Sequence, residues 1–80
     1  MDYNGWKNRQ TWNVALYIQN TEAIYRAACA FMRDYSGRSP YADFIKETGR
    51  TDVMTSDGIS YTDPRLSKRE LNAMMRELID

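Results

Sequence analysis

Apolar residues recur along this chain in clusters separated by polar or Gly/Pro-containing breaks. The first cluster follows Asn8, a good N-cap, and predicts a helix from about 9 to 19. Trp12, Val14, Ala15, Leu16, Tyr17 and Ile18 wrap most of that helix and leave a narrow polar stripe with Arg9 and Asn13. A helix apolar nearly all round is usually buried. The same short run also fits a buried strand, but no convincing partner strand is visible, so we read it as a helix.

Asn20-Thr21 breaks the pattern, and Thr21 is placed to cap a second helix from 22 to about 35, with Glu22 well placed near its N-terminus. Ile24, Ala27, Ala28, Phe31 and Tyr35 share one face of it, and Arg26 and Arg33 lie opposite. The small alanines allow another helix to approach closely. Gly37 stops this helix. Ser39-Pro40 then offers a favoured cap and a favoured first helical residue for a short helix from 40 to about 47, burying Tyr41, Phe44 and Ile45 and closed by Gly49. Residues 50–63 are the least regular. Asp57-Gly58 is a strong turn signal, and Val53, Ile59 and Tyr61 around it fit a small hairpin, which is marginal unless it packs on helices. We read this segment as an ordered loop with at most brief β-pairing. The last helix has the clearest signature. Ser67 and Glu70 form a capping box, and Leu66 and Leu71 occupy the positions of a hydrophobic staple. Leu71, Met74, Met75, Leu78 and Ile79 then follow the amphipathic pattern.

The expected fold is therefore mainly α: about four short helices around one core, with an irregular or small β-hairpin segment before the last helix. Trp12, Leu16, Phe31, Leu71, Met75 and Leu78 are expected to be largely buried. With 80 residues the chain suits a single domain over 1–80, without internal repeats or a low-complexity linker. A domain of this size buries roughly 60% of its unfolded surface, enough for one modest core but not for a deep cavity lined by a separate layer.

Charge and composition narrow the function. The chain is 42% hydrophobic and 28% charged, a globular balance, and its 11 basic residues are matched by 11 acidic ones. A dedicated nucleic-acid binder usually has a basic excess. Neutrality also weakens steering toward DNA or an anionic membrane. The lone Cys29 can form no intrachain disulfide and sits in an apolar helical stretch, which predicts a buried structural thiol. The opening residues show no signal-peptide pattern and no apolar run is long enough to cross a bilayer, so a cytoplasmic protein is expected.

Histidine is absent. That removes Ser-His and Cys-His nucleophile pairs, the usual general base near neutral pH and every His-containing metal site. The acids are scattered, so the chain is read as no enzyme, with no catalytic residues and no cofactor. Asp52, Asp57 and Asp63 invite a calcium reading. Placing Gly58 at position 6 of a calcium loop, however, puts Val53 at position 1 and Pro64 at position 12. Turn and capping roles fit these acids better, and no metal site is assigned. No glycine-rich run leads into Lys-Ser or Lys-Thr, so a phosphate-cradling loop is missing too.

Two groups remain as candidate contacts. Arg65, Lys68, Arg69 and Arg76 gather around the last helix, with Arg69, Asn72 and Arg76 on one side and Glu70, Glu77 and Asp80 diluting the adjoining face. The plain reading is a solvated helix face. A protein-binding stripe and a nucleic-acid stripe are the functional alternatives. Aromatic residues crowd the first half, and Tyr and Trp are enriched both in cores and at interfaces. Trp12 is read as core. Trp6, before the first helix, is either a lid on the core or a partner contact. The partner-binding candidates are Trp6, Tyr61, Arg65, Arg69 and Arg76.

The stretch Asn4-Gly5-Trp6-Lys7-Asn8-Arg9-Gln10-Thr11-Trp12-Asn13-Val14-Ala15-Leu16-Tyr17-Ile18-Gln19-Asn20 resembles the opening of a family of small uncharacterised bacterial and phage proteins, with the pattern N-G-W-x-N-x-x-T-W-N-V-A-L-x-I-x-N. Residues 57–61, 63–66 and 70–72 are similar to that family's C-terminal part. Many of its members carry an acid near Gln10 and Trp at Tyr17, two departures here. The resemblance implies a prokaryotic or phage origin and a compact intracellular domain, and it brings no assigned activity and no known active residues. The expected function is a non-enzymatic protein-interaction module, a phage-encoded inhibitor or modulator of a host protein in defence or metabolism. The alternative is a small nucleic-acid-binding regulator using the basic side of the last helix.

Overall fold

In the computed structural model, which describes Tyr3 and residues 5–79, four helices follow one another: α1 (Arg9–Asn20), α2 (Glu22–Arg33), α3 (Pro40–Glu47) and α4 (Lys68–Glu77). Asn4 of the N-terminal pattern and Asp80 beside the last helix lie outside the described residues. Helices α2 and α4 each pack on all three other helices, whereas α1 and α3 flank them without touching. Their shared core joins Val14, Ala15 and Ile18 of α1, Ala28 and Met32 of α2, Tyr41, Phe44 and Ile45 of α3, and Leu71, Met74 and Met75 of α4. Ile59, Tyr61 and Leu66 from the α3–α4 connection complete it. The radius of gyration is 11.6 Å, as expected for a compact chain of this length, roughly 12 Å.

Helix α1 starts where Asn8 Oδ1 accepts the Thr11 amide at 2.9 Å. Its inward arc is Thr11, Val14, Ala15 and Ile18, the i, i+3, i+4, i+7 set, all buried. Trp12 and Leu16 lie to one side of that arc and are only half-buried, which corrects their expected place in the core. Trp12 instead packs against Tyr3, with ring centroids 6.0 Å apart and the planes tilted by 38°. Asn13 reverses its expectation most sharply. It lies opposite the arc, on the stripe read as polar, yet it is 1% exposed, because the α3–α4 connection covers that side.

Helix α2 ends at Arg33, two residues before the predicted stop, with Ala28 and Met32 as its buried residues. Phe31 is half-buried rather than central, and its ring packs on Tyr35 at 5.0 Å and on Phe44 at 5.5 Å. Thr21 and Ser39 make no side-chain cap hydrogen bonds. The turn into α3 is held by Tyr35 instead. Its hydroxyl accepts the Ser39 amide at 2.9 Å and donates to Asp43. A Cβ on Gly37 would lie 2.4 Å from that hydroxyl oxygen, so glycine at 37 makes room for the ring. Asn72 of α4 accepts the Tyr41 amide at 2.9 Å, supplying from a neighbouring helix the acceptor Ser39 does not provide. Helix α3 closes on a Schellman turn: Arg50 N–H donates to Ile45 C=O at 2.9 Å and Gly49 N–H to Lys46 C=O at 3.2 Å, with Gly49 at φ +69°.

The predicted capping box at α4 is half formed. Ser67 Oγ accepts the Glu70 amide at 3.3 Å. Glu70 does not reach back to Ser67, because Thr11 Oγ1 already accepts the Ser67 amide at 2.9 Å. The Glu70 carboxylate accepts the Lys7 amide instead, at 2.8 Å. Leu66 and Leu71 are both buried. Leu78 is the C-cap and half-buried, and Ile79 beyond it is 48% exposed. The helix thus ends before the last two apolar positions of its pattern, and Leu78 is corrected from core to core edge.

The connection between α3 and α4 is irregular. Its pairing is limited to one antiparallel bridge between Met54 and Ser60, and the described residues form no strand there, so the small hairpin is not what forms. Asp57-Gly58 does make the expected turn. Gly58 N–H donates to Thr55 C=O at 2.9 Å, Thr55 N–H to Ile59 C=O at 2.8 Å, and Gly58 sits at φ +82°. What fixes the segment is α1. Asn13 Nδ2 donates to Asp57 at 2.7 Å, and its Oδ1 accepts the Thr55 hydroxyl at 2.8 Å. Thr55 Oγ1 in turn accepts the Ile59 amide at 3.2 Å. One turn earlier, the Thr11 hydroxyl donates to Asn8 Oδ1 at 2.7 Å, and Asn8 Nδ2 donates to Arg65 C=O at 2.8 Å. Among the described residues every buried side-chain polar atom has a partner.

Four variants test these contacts. Asn13→Ala strands the Thr55 hydroxyl and should cost about 1–3 kcal/mol. The Asn13→Ala/Thr55→Val double variant should lose less than the two singles together, as urea denaturation would show. Gly58→Ala forces an L-residue into the left-handed region, and its urea midpoint should fall by the equivalent of about 1–2 kcal/mol with an unchanged slope. Ser67→Ala removes the cap acceptor but keeps the amide bond to Thr11. A loss of about 0.5–2 kcal/mol in the same assay is expected.

Candidate functional site

The five expected partner-binding residues do not form one surface. Trp6 folds back so that its amide meets Tyr3 C=O at 3.0 Å. Its half-buried side chain packs against the core beside Gln19, Ala73 and Met74, the lid arrangement. Tyr61 is 3% exposed, because its C=O accepts the Tyr41 hydroxyl at 2.6 Å and its ring is drawn under α3. It is a wall residue rather than a projecting contact.

The arginines are unequally engaged. Arg65 is clamped by its own turn, donating from Nε and Nη2 to Asp63 at 3.0 and 2.7 Å. Those guanidinium bonds, with the Arg65 amide, hold the Asp63 carboxyl down at about 2, so the pair stays ionised and mutually neutralised. Arg76 leans on Arg38 C=O at 3.4 Å. Arg69 is exposed and forms no ion pair among the described residues. Of the three arginines, Arg65 alone has its charge offset by an ion pair among the described residues.

Exposed large apolar residues lie in two places among the described residues: Val53 and Met54 on the α3–α4 connection, 42% and 63% exposed, and Tyr25 and Ile79 on a surface formed by α2 and the end of α4. At the end of the molecule where α2 meets the C-terminus of α4, a shallow cleft is lined by Tyr25, Arg26, Cys29, Arg33, Leu78 and Ile79. Tyr25 is 41% and Ile79 48% exposed. Cys29 is half-buried rather than deep in the core, with its Sγ 3.9 Å from Leu78 C=O. The neighbouring thiol raises the Tyr25 phenol above its ordinary value, so it stays a neutral hydroxyl. Arg26 pairs with Glu22 on the adjacent turn at 2.8 Å, both well exposed, which contributes little to stability. Arg33 extends the cleft with a charge that has no ion-pair partner among the described residues.

A second concavity, about 300 Å³, lies between α3, the irregular connection and the start of α4. Tyr41, Ile45, Tyr61 and Leu66 form its floor, with Lys46 and Lys68 at the mouth. Burial raises both phenols, Tyr41 strongly and Tyr61 less, so the floor is uncharged.

Of the acids read as turn and cap residues, Asp63 has that role, accepting the Arg65 amide at 2.8 Å, whereas Asp57 sits in its turn with its carboxylate on Asn13 of α1. Among the described residues no group of three or more His, Cys, Asp or Glu is placed to share a metal ion. No helix there is long and apolar enough to cross a membrane. Sequence reasoning missed Tyr25 as a surface residue. The available signal was its position, one residue from Ile24 on the edge of the apolar face rather than within it.

Comparison with known proteins places these features in a lineage without assigning them a role. No curated protein and no solved structure matches the chain. A family model described as a family of unknown function, DUF7249, matches residues 1–80. The chain therefore belongs to that family, whose N-terminal half is here the α1 spine that holds the rest in place.

Proposed function

We propose that this protein is a non-enzymatic protein-interaction module whose partner docks on the cleft between α2 and the end of α4. The observation that carries this reading is the exposure of Tyr25 and Ile79 side by side with Cys29 and Leu78, between Arg26 and Arg33. Apolar area left in water forgoes roughly 25 cal/mol per Å². Tyr and Arg around such area are the residue types that dominate protein interfaces. The resemblance to small bacterial and phage proteins supports a bacterial cytoplasm as the setting. It also supports the finer proposal of a phage-encoded inhibitor or modulator of a host protein. A nucleic-acid regulator is the weaker reading, because Arg65 is neutralised by Asp63 and the chain as a whole has no basic excess.

The test is capture from a bacterial host lysate at low and high salt, with captured species identified by mass spectrometry. A protein partner should survive high salt, because buried apolar area is not screened. It should be lost with Tyr25→Ser/Ile79→Ser and kept with Arg65→Ala/Arg69→Ala/Arg76→Ala. Both serine positions are exposed, so stability should change by no more than about 0.5 kcal/mol per site. A nucleic-acid complex that vanishes with salt and with the triple arginine variant would overturn the proposal.

A further inference from the structure

We propose that the concavity between α3 and the irregular connection binds a small amphipathic carboxylate, with its apolar body on Tyr41, Ile45, Tyr61 and Leu66 and its anionic head between Lys46 and Lys68. The site is separate from the α2/α4 cleft and independent of the partner reading.

Three observations carry it. The volume, about 300 Å³, is at the lower end for small-molecule sites. It suits a single ring or branched chain, not a helix or a duplex. The floor is fixed before any ligand arrives. Tyr41 is tied through its hydroxyl to Tyr61 C=O and through its amide to Asn72 of α4, so little ordering cost remains to be met on binding. Tyr41, Ile45, Tyr61 and Leu66 are all part of the packed core, so the floor keeps its shape and its apolar character. The mouth is positive. Neither Lys46 nor Lys68 has an ion-pair partner among the described residues, and the one carboxylate at the rim, Asp63, is occupied by Arg65. A neutral apolar molecule would leave both ammonium groups unused, and a polyanion would leave the floor unused. An apolar acid satisfies both.

The experiment titrates the full chain, followed by ¹H–¹⁵N correlation spectra, with 3-phenylpropionate and separately with its uncharged amide. The acid should give saturable shifts centred on Thr51, Tyr61, Thr62 and Lys68, and the amide should bind about fivefold more weakly. Lys46→Met/Lys68→Met should bring the acid down to the amide's affinity without changing the latter. Ala42, at the groove wall, is exposed, and Ala42→Phe should fill the space and abolish binding of both at unchanged melting temperature. Equal affinity for acid and amide overturns the proposal. So do shifts centred on Tyr25 and Ile79, or no saturation up to about 10 mM ligand. Should Ala42→Phe fail to fold, the lysine double variant decides alone.

Discussion

The structure depends on a polar seam between α1 and the chain that links α3 to α4. Residues 48–67 contain no helix and no strand among the described positions, and structureless connections longer than about 12–15 residues are uncommon in compact domains. Its backbone is paired largely within itself, as in Thr55 with Ile59 and Tyr61 with Val53, and α1 ties this turn-rich chain to the helices. Asn8, Thr11 and Asn13 hold Arg65, Ser67 and the Thr55–Asp57 turn by side-chain hydrogen bonds. Without them Ile59, Tyr61 and Leu66 would have no fixed backbone from which to enter the core, and the groove beneath α3 would lose its outer wall. The apolar core supplies the driving force. The seam decides which of many collapsed arrangements of the connection is the native one.

How much of this was legible depends on how far apart in sequence the partners lie. The helices were readable because their signals are local: Asn8 before α1, Pro40 at the start of α3, Gly49 in a Schellman turn and Ser67 before α4 all act within a few residues. Each helix appears within a residue or two of its predicted bounds. Two of the departures involve a remote partner. Asn13 reads as solvent-facing by periodicity, because nothing within α1 reveals a loop 44 residues away that needs it. Glu70 fits a capping box until Lys7, 63 residues earlier, competes for it. Trp12 and Leu16 have the right chemistry for a core, but the arc through Thr11, Val14, Ala15 and Ile18 leaves them at its margin.

The candidate site was less legible than the fold, for a related reason. Trp6 and Tyr61 were singled out by residue type, and residue type does not tell an anchor offered to a partner from one used internally. The arginines were singled out by spacing on α4, which cannot foresee that Asp63 neutralises Arg65 through the intervening turn. Tyr25 and Ile79 become visible only once α2 and α4 are placed side by side and the end of α4 is seen to stop short. Surface chemistry is a property of what remains uncovered after packing, so it is the last thing a sequence discloses.

The seam also has a consequence in time. Its α1 half is translated first and its other half 42 to 57 residues later. At ordinary elongation rates the wait from Asn13 to Asp57 lasts roughly 2–9 s. Throughout that interval the residues that Asn8, Thr11 and Asn13 bond in the connection have not yet been made. The nascent chain therefore cannot complete its fold progressively from the N-terminus.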